Sequence, residues 1–380
     1  MRVDQLTLTG FRSYAALDLR FGDGPQVVVG DNAAGKTNLI ESIVLLARGA
    51  SHRSAGDGEL IRWGDPFARI EARVEHGPAR GPDQVEVMLE RVGAGGARKR
   101  LRVDGIPRRA TALADALRIV LFAPEEMLLV VGPPTLRRGA IDALAVARSS
   151  AYGRSMATYG RALQQRNGLL RRIREGEAEA DQLPYWDAIL VQEGGAIVAE
   201  RLALLEDLAP VLAASHGEIA PAEPPLGLRY VTNAPAGPGE SPTEALRRRL
   251  AETAAKELWN GATLVGPHRD DIAFELGGRD LTTFASRGQQ RTAILSLKLA
   301  ELDLLTDPAT GEAPLLLLDD VFSELDPDRR SHLVRRIREL PQAIVTTTTL
   351  DDLDPSLVAD STAWLVRDGS VEAGQAGLVR

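Results

Sequence analysis

Gly30-Asp31-Asn32-Ala33-Ala34-Gly35-Lys36-Thr37 decides how this chain is read. The stretch matches the phosphate-binding pattern G-x-x-x-x-G-K-[ST] in full. A run beginning at Phe21 leads into it and ends in Gln26-Val27-Val28-Val29, a β-branched segment that predicts a buried strand. From Asn38 to Leu46, residues Leu39, Ile40, Ile43, Val44 and Leu46 recur at helical spacing. Strand, glycine-containing turn and helix is the context the pattern requires. The glycines let backbone N–H groups close around β- and γ-phosphates, and the helix N-terminus adds its partial positive charge. Lys36 supplies a point charge to the same oxygens, and Thr37 offers a hydroxyl to Mg²⁺. The chain has only four lysines, at 36, 99, 256 and 298, so a chance match to a lysine-dependent pattern is rare. The stretch predicts a nucleoside triphosphate site.

A second half of such a site is legible far downstream. Leu315-Leu316-Leu317-Leu318-Asp319-Asp320 is an apolar run ending in two carboxylates. That pattern predicts a central parallel strand delivering its C-terminal residues to the ligand crevice beside the phosphate loop. Asp319 is then placed to hold Mg²⁺, directly or through water. Asp320, one residue on, is placed to orient or deprotonate an attacking water. Ser286-Arg287-Gly288-Gln289-Gln290-Arg291 opens a helix with Ile294, Leu295, Leu297, Leu299 and Leu302 on its apolar face. A Ser and a Gly at a helix N-terminus form a second anion site. One nucleotide does not need two such sites from one subunit, so the expected use is in trans, on the γ-phosphate held by a partner. Ser323-Glu324-Leu325-Asp326-Pro327 predicts a turn at that interface, with Pro327 at a helix N1 position. Thr346 to Thr349, after a strand near 342–345, is a candidate γ-phosphate sensor.

Bulk properties narrow the class. At 380 residues, with 44% apolar and 26% charged residues, the chain suits two or three packed globular units. The absence of cysteine excludes disulfides and thiolate metal sites. The first residues lack the apolar core of a signal peptide, and no uncharged run approaches membrane-spanning length, so no membrane and a cytoplasmic location are expected. The net charge of −8 argues against a surface coated in positive charge, yet a local basic patch suffices for nucleic acid. Arg161, Arg166, Arg171, Arg172 and Arg174 on one predicted helix, and Arg98, Lys99, Arg100 and Arg102 on one predicted strand, are the candidate clusters. Such groups favour the phosphate backbone without reading sequence.

The periodicities give an α/β organisation. Alternation over Arg2–Thr9 and Ala15–Phe21 predicts a hairpin, with further strands at Arg69–Val74, Gln84–Arg91, Lys99–Val103 and Ile119–Phe122. Helices are expected over 135–148, 151–175, 186–214 and 243–258. A strand at Leu226–Val231 and strand-like segments around 262–276 come next, then helix 289–305, strand 314–318, helix 327–339 and strands at 342–347 and 363–366. The expected division is 1–122 as the first part of an ATPase lobe, 123–258 as a helical arm and 259–380 as the second part of the ATPase lobe.

Phosphate loop, Ser-x-Gly-Gln-Gln signature, paired acids and Ser-Glu-Leu-Asp turn, in this order, resemble ABC-type ATPase heads of the chromosome-maintenance and repair kind. More closely, the chain is similar to the RecF family of bacterial recombination mediators. The matching stretches run from end to end: Gly10-Phe11-Arg12-Ser13-Tyr14, Gly30 to Asn38, Arg137-Arg138, Gly266-Pro267-His268-Arg269-Asp270-Asp271, Ala285 to Thr292 and Leu316 to Asp326. The resemblance implies an ABC-type P-loop ATPase head split by a mainly helical second lobe. It implies a homodimer induced by ATP and Mg²⁺ that binds double-stranded DNA and duplex–single-strand junctions. With RecO and RecR it would promote loading of RecA in gap repair, replication restart and SOS induction.

Residue by residue, the resemblance carries nucleotide contacts onto Gly30, Asp31, Asn32, Ala33, Ala34, Gly35, Lys36 and Thr37, with Lys36 also catalytic. It carries signature contacts onto Ser286, Gly288 and Gln289, metal binding onto Thr37 and Asp319, the water role onto Asp320, and a place near the nucleotide onto Arg12. Many ABC heads have Glu where Asp320 stands, which implies slow hydrolysis, a weak DNA-dependent ATPase. No glutamine-loop residue stands out; Glu125 and Glu126 occupy the corresponding region.

The alternative class is the ATPase subunit of an ABC membrane transporter. There Ser-Gly-Gly-Gln is usual where this chain has Ser-Arg-Gly-Gln-Gln, and the arginine-rich insertion is foreign to it. A head on a long coiled coil does not fit either, because no sustained heptads separate Lys36 from Gly288.

Overall fold

The computed structural model describes residues 1–374 apart from Ala55, Ala79 and Ala94. In chain order its first elements are β1 (Arg2–Phe11), β2 (Tyr14–Arg20), β3 (Gly24–Val29), α1 (Lys36–Arg48), β4 (Phe67–Glu75), β5 (Asp83–Val92), β6 (Gly96–Val103), β7 (Ile106–Pro107) and β8 (Ile119–Phe122). Then come α2 (Pro134–Arg148), α3 (Ser150–Arg174), α4 (Leu183–Ile219), β9 (Leu226–Val231), α5 (Pro242–Asn260), β10 (Asp271–Leu276), β11 (Arg279–Asp280) and α6 (Leu281–Phe284). The chain finishes with α7 (Arg287–Leu305), β12 (Leu315–Asp319), α8 (Pro327–Arg338), β13 (Gln342–Thr347), α9 (Pro355–Ala359), β14 (Thr362–Arg367) and β15 (Ser370–Gly374). It divides into two compact units. The first holds Met1–Met127, Ala214–Ala222 and the chain from Arg287 onward; the second holds Leu128–Ala213 and Glu223–Ser286.

In the first unit two sheets enclose α1, and α7, α8 and α9 complete it. Strands β2-β1-β4-β5-β6-β7 form an antiparallel sheet, and the expected opening hairpin pairs Gln5 with Arg20 through to Phe11 with Tyr14. Alternation decides the facing: Leu6, Leu8, Ile70, Val74, Val85, Val87 and Leu89 are buried on one side, while Arg98 and Arg100 lie on the solvent side. The other sheet runs β15-β14-β3-β13-β12-β8, with β14, β3, β13, β12 and β8 parallel and β15 antiparallel at the edge. Its inner strands are buried on both faces, which is why Leu315 to Leu318 and Ala343 to Val345 read as unbroken apolar runs. Helix α1 contacts β4 and β5 of one sheet and β8, β12 and β13 of the other. It is therefore buried all round from Leu39 to Ala47. Each fully buried Leu or Ile there contributes about 1.5–3 kcal/mol.

Register in the parallel sheet sets the site. Thr347 stands opposite Val29, the residue before the phosphate loop, and Asp319 stands opposite Thr346. Strand β13 lies between β3 and β12, so the loop and the acids emerge at one end of neighbouring strands.

The second unit packs α3 against α2 and α5, and α2 against β10 of a three-stranded antiparallel sheet β11-β10-β9. Val191, Leu246, Leu250 and Val265 form its apolar cluster. Helix α5 begins with a capping box between Ser241 and Glu244 and has Pro242 in its first turn.

Three sequence expectations change here. The segment 262–270 is loop rather than strand, because side chains satisfy its backbone: the Thr263 and Leu264 N–H groups donate to Asn167 Oδ1 and Glu257 Oε1, both at 2.7 Å. The expected boundary at 258/259 lies at 286/287, since β10 pairs with β9 along its whole length and belongs to the helical unit. The last strand has a partner that the sequence reading did not foresee, β15, turned back by Asp368-Gly369 with φ of 45° and 75°.

Gly195, inside α4, faces the start of α5 at close quarters: a Cβ there would stand 2.6 Å from Thr243 Cα. We expect Gly195→Ala to lower unfolding free energy by about 1–3 kcal/mol despite the better helix propensity, measured by chemical denaturation. Gly139→Ala, where a Cβ meets nothing, is the control and should be neutral or stabilising.

Candidate functional site

The turn between β3 and α1 is held from three sides. A Cβ at Gly30 would lie 2.4 Å from the Val366 carbonyl of β14, so only glycine lets the loop leave the sheet here. The Tyr14 hydroxyl donates to the Gly35 carbonyl at 2.9 Å, and Gly35 itself has φ 121°. Asn38 Nδ2 donates to Ser13 Oγ at 3.0 Å, and the Gly369 N–H reaches the Ala34 carbonyl at 3.4 Å. Asp31, Asn32 and Ala33 form the exposed crest, with Ala33 at φ 66°.

Lys36 opens α1 and is buried, its ammonium donating to the carbonyls of Gly30 at 2.7 Å and Asp31 at 3.0 Å. Burial pulls its proton affinity below the ordinary lysine range, opposed by the carboxylates of Asp320, Asp319 and Asp31. Thr37 Oγ1 donates to Asp319 Oδ1 at 3.2 Å across 282 residues of sequence. Thr346 Oγ1 donates to the same oxygen at 2.6 Å. A buried carboxylate and a hydroxyl side by side are the hard oxygen donors that Mg²⁺ takes, the remaining positions going to water and phosphate. Among the described residues no cluster of three or more His, Cys, Asp or Glu side chains could cage a metal.

Asp320 follows in a left-handed backbone conformation, φ 52°. Burial raises its carboxyl above the ordinary aspartate range; Lys36 opposes this, while Asp319, Asp352 and Glu324 add to it. A carboxylate of raised proton affinity beside a phosphate site is suited to accept a proton from water.

The signature lies at a different place. Ser286, exposed, closes the helical unit, and Arg287 begins both α7 and its return to the first unit. Gly288 and Gln289 lie in the first turn of α7. Helix α7 is tied to the turn after the acids: Arg291 pairs with Glu324, and Arg329 Nε donates to Thr292 Oγ1 at 2.8 Å. Arg330 Nε holds the carbonyls of Phe322 and Leu325, at 2.9 and 2.8 Å, and Pro327 enters α8 at its first turn behind an Asp326 cap, as the sequence predicts.

Other expectations meet specific geometry. Arg12 (φ 51°) turns its guanidinium onto Glu41 of α1, with Nε and Nη2 each 2.8 Å from a carboxylate oxygen, and also contacts Ser54 and the Glu59 carbonyl. Glu41 is fully buried. Burial works to raise its pKa, but the hydrogen bonds from Arg12 and Ser51 outweigh it and hold the carboxyl below the usual range. In the glutamine-loop region Glu126 accepts from Lys298 of α7 at 2.9 Å, and Glu125 stands 3.7 Å from Arg53. The Thr346 and Thr347 side chains are buried, and their hydroxyls donate within the protein, to Asp319 and to the Thr349 carbonyl. Of the arginine clusters, Arg166 is buried between Asp187 and Glu257 and is unavailable to DNA. Lys99 pairs with Asp57, whereas Arg100 and Arg102 pair with Glu90 and Glu86 across β5. Sequence reasoning placed Tyr14 in a matching stretch without giving it a role, and did not foresee that Thr346 would bond to Asp319 and Asp320.

Loop, buried lysine, paired acids on the neighbouring strand and a signature helix, split by an inserted helical unit, define an ABC-type P-loop ATPase head. Residues 2–356 match the family model of the RecF/RecN/SMC N-terminal domain. The chain is 40% identical to the DNA replication and repair protein RecF of Chloroflexus aurantiacus, over 98% of this chain and 100% of that protein. It is 39% identical to RecF of Symbiobacterium thermophilum over the full length of both. A solved structure of the recombination mediator protein RecF with ATP, described in the RecFOR pathway, superposes with a TM-score of 0.88 at 29% identity, covering 98% of this chain and 97% of that one. An Smc head bound to a ScpA domain superposes at 0.54 with 15% identity over 98% and 97% of the two chains, a likeness of fold alone. The chain belongs to the RecF family of DNA replication and repair proteins. That displaces the transporter-subunit alternative. Among the described residues no helix is long and apolar enough to cross a membrane.

Removing Arg12 strands a buried carboxylate. Arg12→Ala should cost about 2–4 kcal/mol in unfolding free energy at neutral pH, discounted because the guanidinium is partly exposed. The Arg12–Glu41 contribution is present above the unfolded glutamate pKa and is lost as pH falls through the depressed folded value. The penalty should therefore shrink in acid, and Arg12→Ala with Glu41→Gln should recover part of it. Denaturation midpoints at several pH values check both.

Proposed function

We propose that this chain is an ATP-dependent DNA-binding recombination mediator. ATP with Mg²⁺ occupies the loop from Gly30 to Thr37, its β- and γ-phosphates facing the backbone N–H groups and Lys36. Thr37 and Asp319 hold Mg²⁺, and Asp320 orients the attacking water. The observation that carries this reading is the 3.2 Å contact between Thr37 and Asp319, which puts the end of the loop beside the first of the paired acids. Identity of 40% to RecF along nearly the whole chain, and the likeness to a RecF structure with ATP, supply the biological context.

Ser286, Gly288 and Gln289 act in trans, so that two γ-phosphates lie between two heads and ATP closes a homodimer. The closed dimer binds double-stranded DNA and duplex–single-strand junctions by its backbone. With RecO and RecR it promotes RecA loading in the cytoplasm during gap repair, replication restart and SOS induction. Hydrolysis is slow, a weak DNA-dependent activity that resets the switch.

Lys36→Met should abolish productive ATP binding with the fold retained. Asp320→Asn should bind ATP and hydrolyse it about 10²-fold more slowly, the scale of a lost general base. Ser286→Arg should keep nucleotide binding but lose ATP-induced dimers, and tight DNA binding with them. Sedimentation with ATP, ADP and no nucleotide, with and without duplex, decides the dimer; a wild-type chain monomeric under saturating ATP, Mg²⁺ and DNA would end this reading.

A further inference from the structure

Thr346 is the last residue but one of β13 and is wholly buried, in register with Asp319 on β12. Its hydroxyl has one proton and two lone pairs. The proton goes to Asp319 Oδ1 at 2.6 Å. In return the oxygen accepts the Asp320 N–H at 3.0 Å, and the same N–H lies 3.3 Å from the Thr346 carbonyl. One hydroxyl thus touches both acids, one through its side chain and the other through its backbone.

The two contacts do different things. Asp319 Oδ1 already receives the Thr37 hydroxyl, so the Thr346 proton saturates that oxygen and fixes the carboxylate rotamer. No described residue hydrogen-bonds to Oδ2, which is left to face a cation or the cation's water. Asp320 sits in the left-handed region, a conformation that L-residues adopt singly and where local contacts support it. Ser323 Oγ donates to the Asp320 carbonyl at 3.2 Å, but among the described residues the Asp320 N–H meets only Thr346, so that threonine fixes the amide end of the residue and with it the direction of the Asp320 carboxylate.

We infer that Thr346 is a positioning residue for the nucleotide reaction, a single buried hydroxyl that sets the rotamer of Asp319 and the backbone of Asp320 together. It cannot touch nucleotide, being sealed inside the sheet. Its effect passes entirely through the two aspartates. The inference rests on the reading of these residues as a metal–nucleotide site. A β-branched side chain with a stiff χ1 suits the task, since the hydroxyl must keep one direction.

The test compares Thr346→Val, which keeps shape and removes the hydroxyl, with Thr346→Ser, which keeps the hydroxyl. Three readings are taken: steady-state ATP hydrolysis, equilibrium binding of a non-hydrolysable ATP analogue titrated with Mg²⁺, and a crystal structure of each variant. Thr346→Val should hydrolyse ATP at least tenfold more slowly and need about tenfold more Mg²⁺ for half-maximal analogue binding, with Mg²⁺-free binding unchanged. Asp320 should leave its left-handed conformation. Thr346→Ser should stay within about threefold of wild type on both measurements. Wild-type Mg²⁺ dependence and an unmoved Asp320 in Thr346→Val would overturn the inference. So would a Ser variant as impaired as Val, because keeping the hydroxyl would then preserve nothing. Wild-type protein that binds no analogue, with or without Mg²⁺, sinks the nucleotide reading; wild type that binds it Mg²⁺-dependently without hydrolysis sinks only the ATPase part and leaves the Mg²⁺ midpoints and Asp320 geometry to judge Thr346.

Discussion

Burial of α1 on every side is the constraint from which the first unit follows. A helix packed between two sheets has no solvent face, so each of its polar groups needs an internal partner. Glu41 finds Arg12 and Ser51, and Ser42 donates to the Leu39 carbonyl at 2.6 Å. The one charged residue at its N-terminus, Lys36, lies over the carbonyls of the loop that precedes it. An enclosed helix cannot rotate or slide without opening two interfaces, and that rigidity is what fixes the direction of the N–H groups at its start. The phosphate binding proposed at this loop would then owe as much to core packing as to glycine.

The parallel sheet solves the complementary problem of bringing distant residues together. With β13 inserted between β3 and β12, Val29, Thr347, Thr346 and Asp319 fall at the same level of three neighbouring strands. The helical unit adds to its apolar cluster a buried polar network. Arg201, 1% exposed, donates to Asp142, Tyr152, Tyr230 and the Pro267 carbonyl, and the Tyr159 hydroxyl is hydrogen-bonded to His268 Nδ1 at 2.6 Å. Burial draws His268 down to about 4, so the ring is neutral at physiological pH. The stretch from Gly266 to Asp271 is thereby explained as the hub of a buried network.

Much of this was legible in the sequence because it is local. Periodicity located α1, α2, α3, α5, α7 and α8 to within a few residues, and the apolar runs announced the buried parallel strands. The phosphate loop and the acids carry their own spacing, so their neighbourhood was foreseeable. What stayed hidden depends on partners far along the chain. Arg12 shows no sign in its surroundings that Glu41 will claim it, and Arg166 looks like any member of a solvated arginine face until Asp187 and Glu257 close on it. The segment 262–270 has strand-like composition, but side chains from α3 and α5 capture its backbone. The unit boundary moved for a kindred reason, since β10 pairs along its whole length with β9, which lies some way back in the sequence across α5. The final hairpin is the exception: Asp368-Gly369 was a readable turn signal that went unread.

The sheet order carries a consequence for biosynthesis. Strands β3 and β8 are made early, yet their neighbours β13, β14 and β12 all lie beyond residue 314. The amino terminus itself is fastened to the Ala313 carbonyl at 2.8 Å. While the ribosome is still translating the middle of the message, the nascent amino-terminal segment holds two apolar strands with open edges and nothing to pair with. The helical unit has its elements complete by residue 286 and can form first, as a locally connected body. Closure of the ATPase sheet waits for the carboxy-terminal strands, a long-range step during which the exposed edges invite aggregation or chaperone capture. Abundance of this protein in the cell is then sensitive to events at the end of its synthesis, and a truncation that spares every loop residue would still leave the nucleotide site unbuilt.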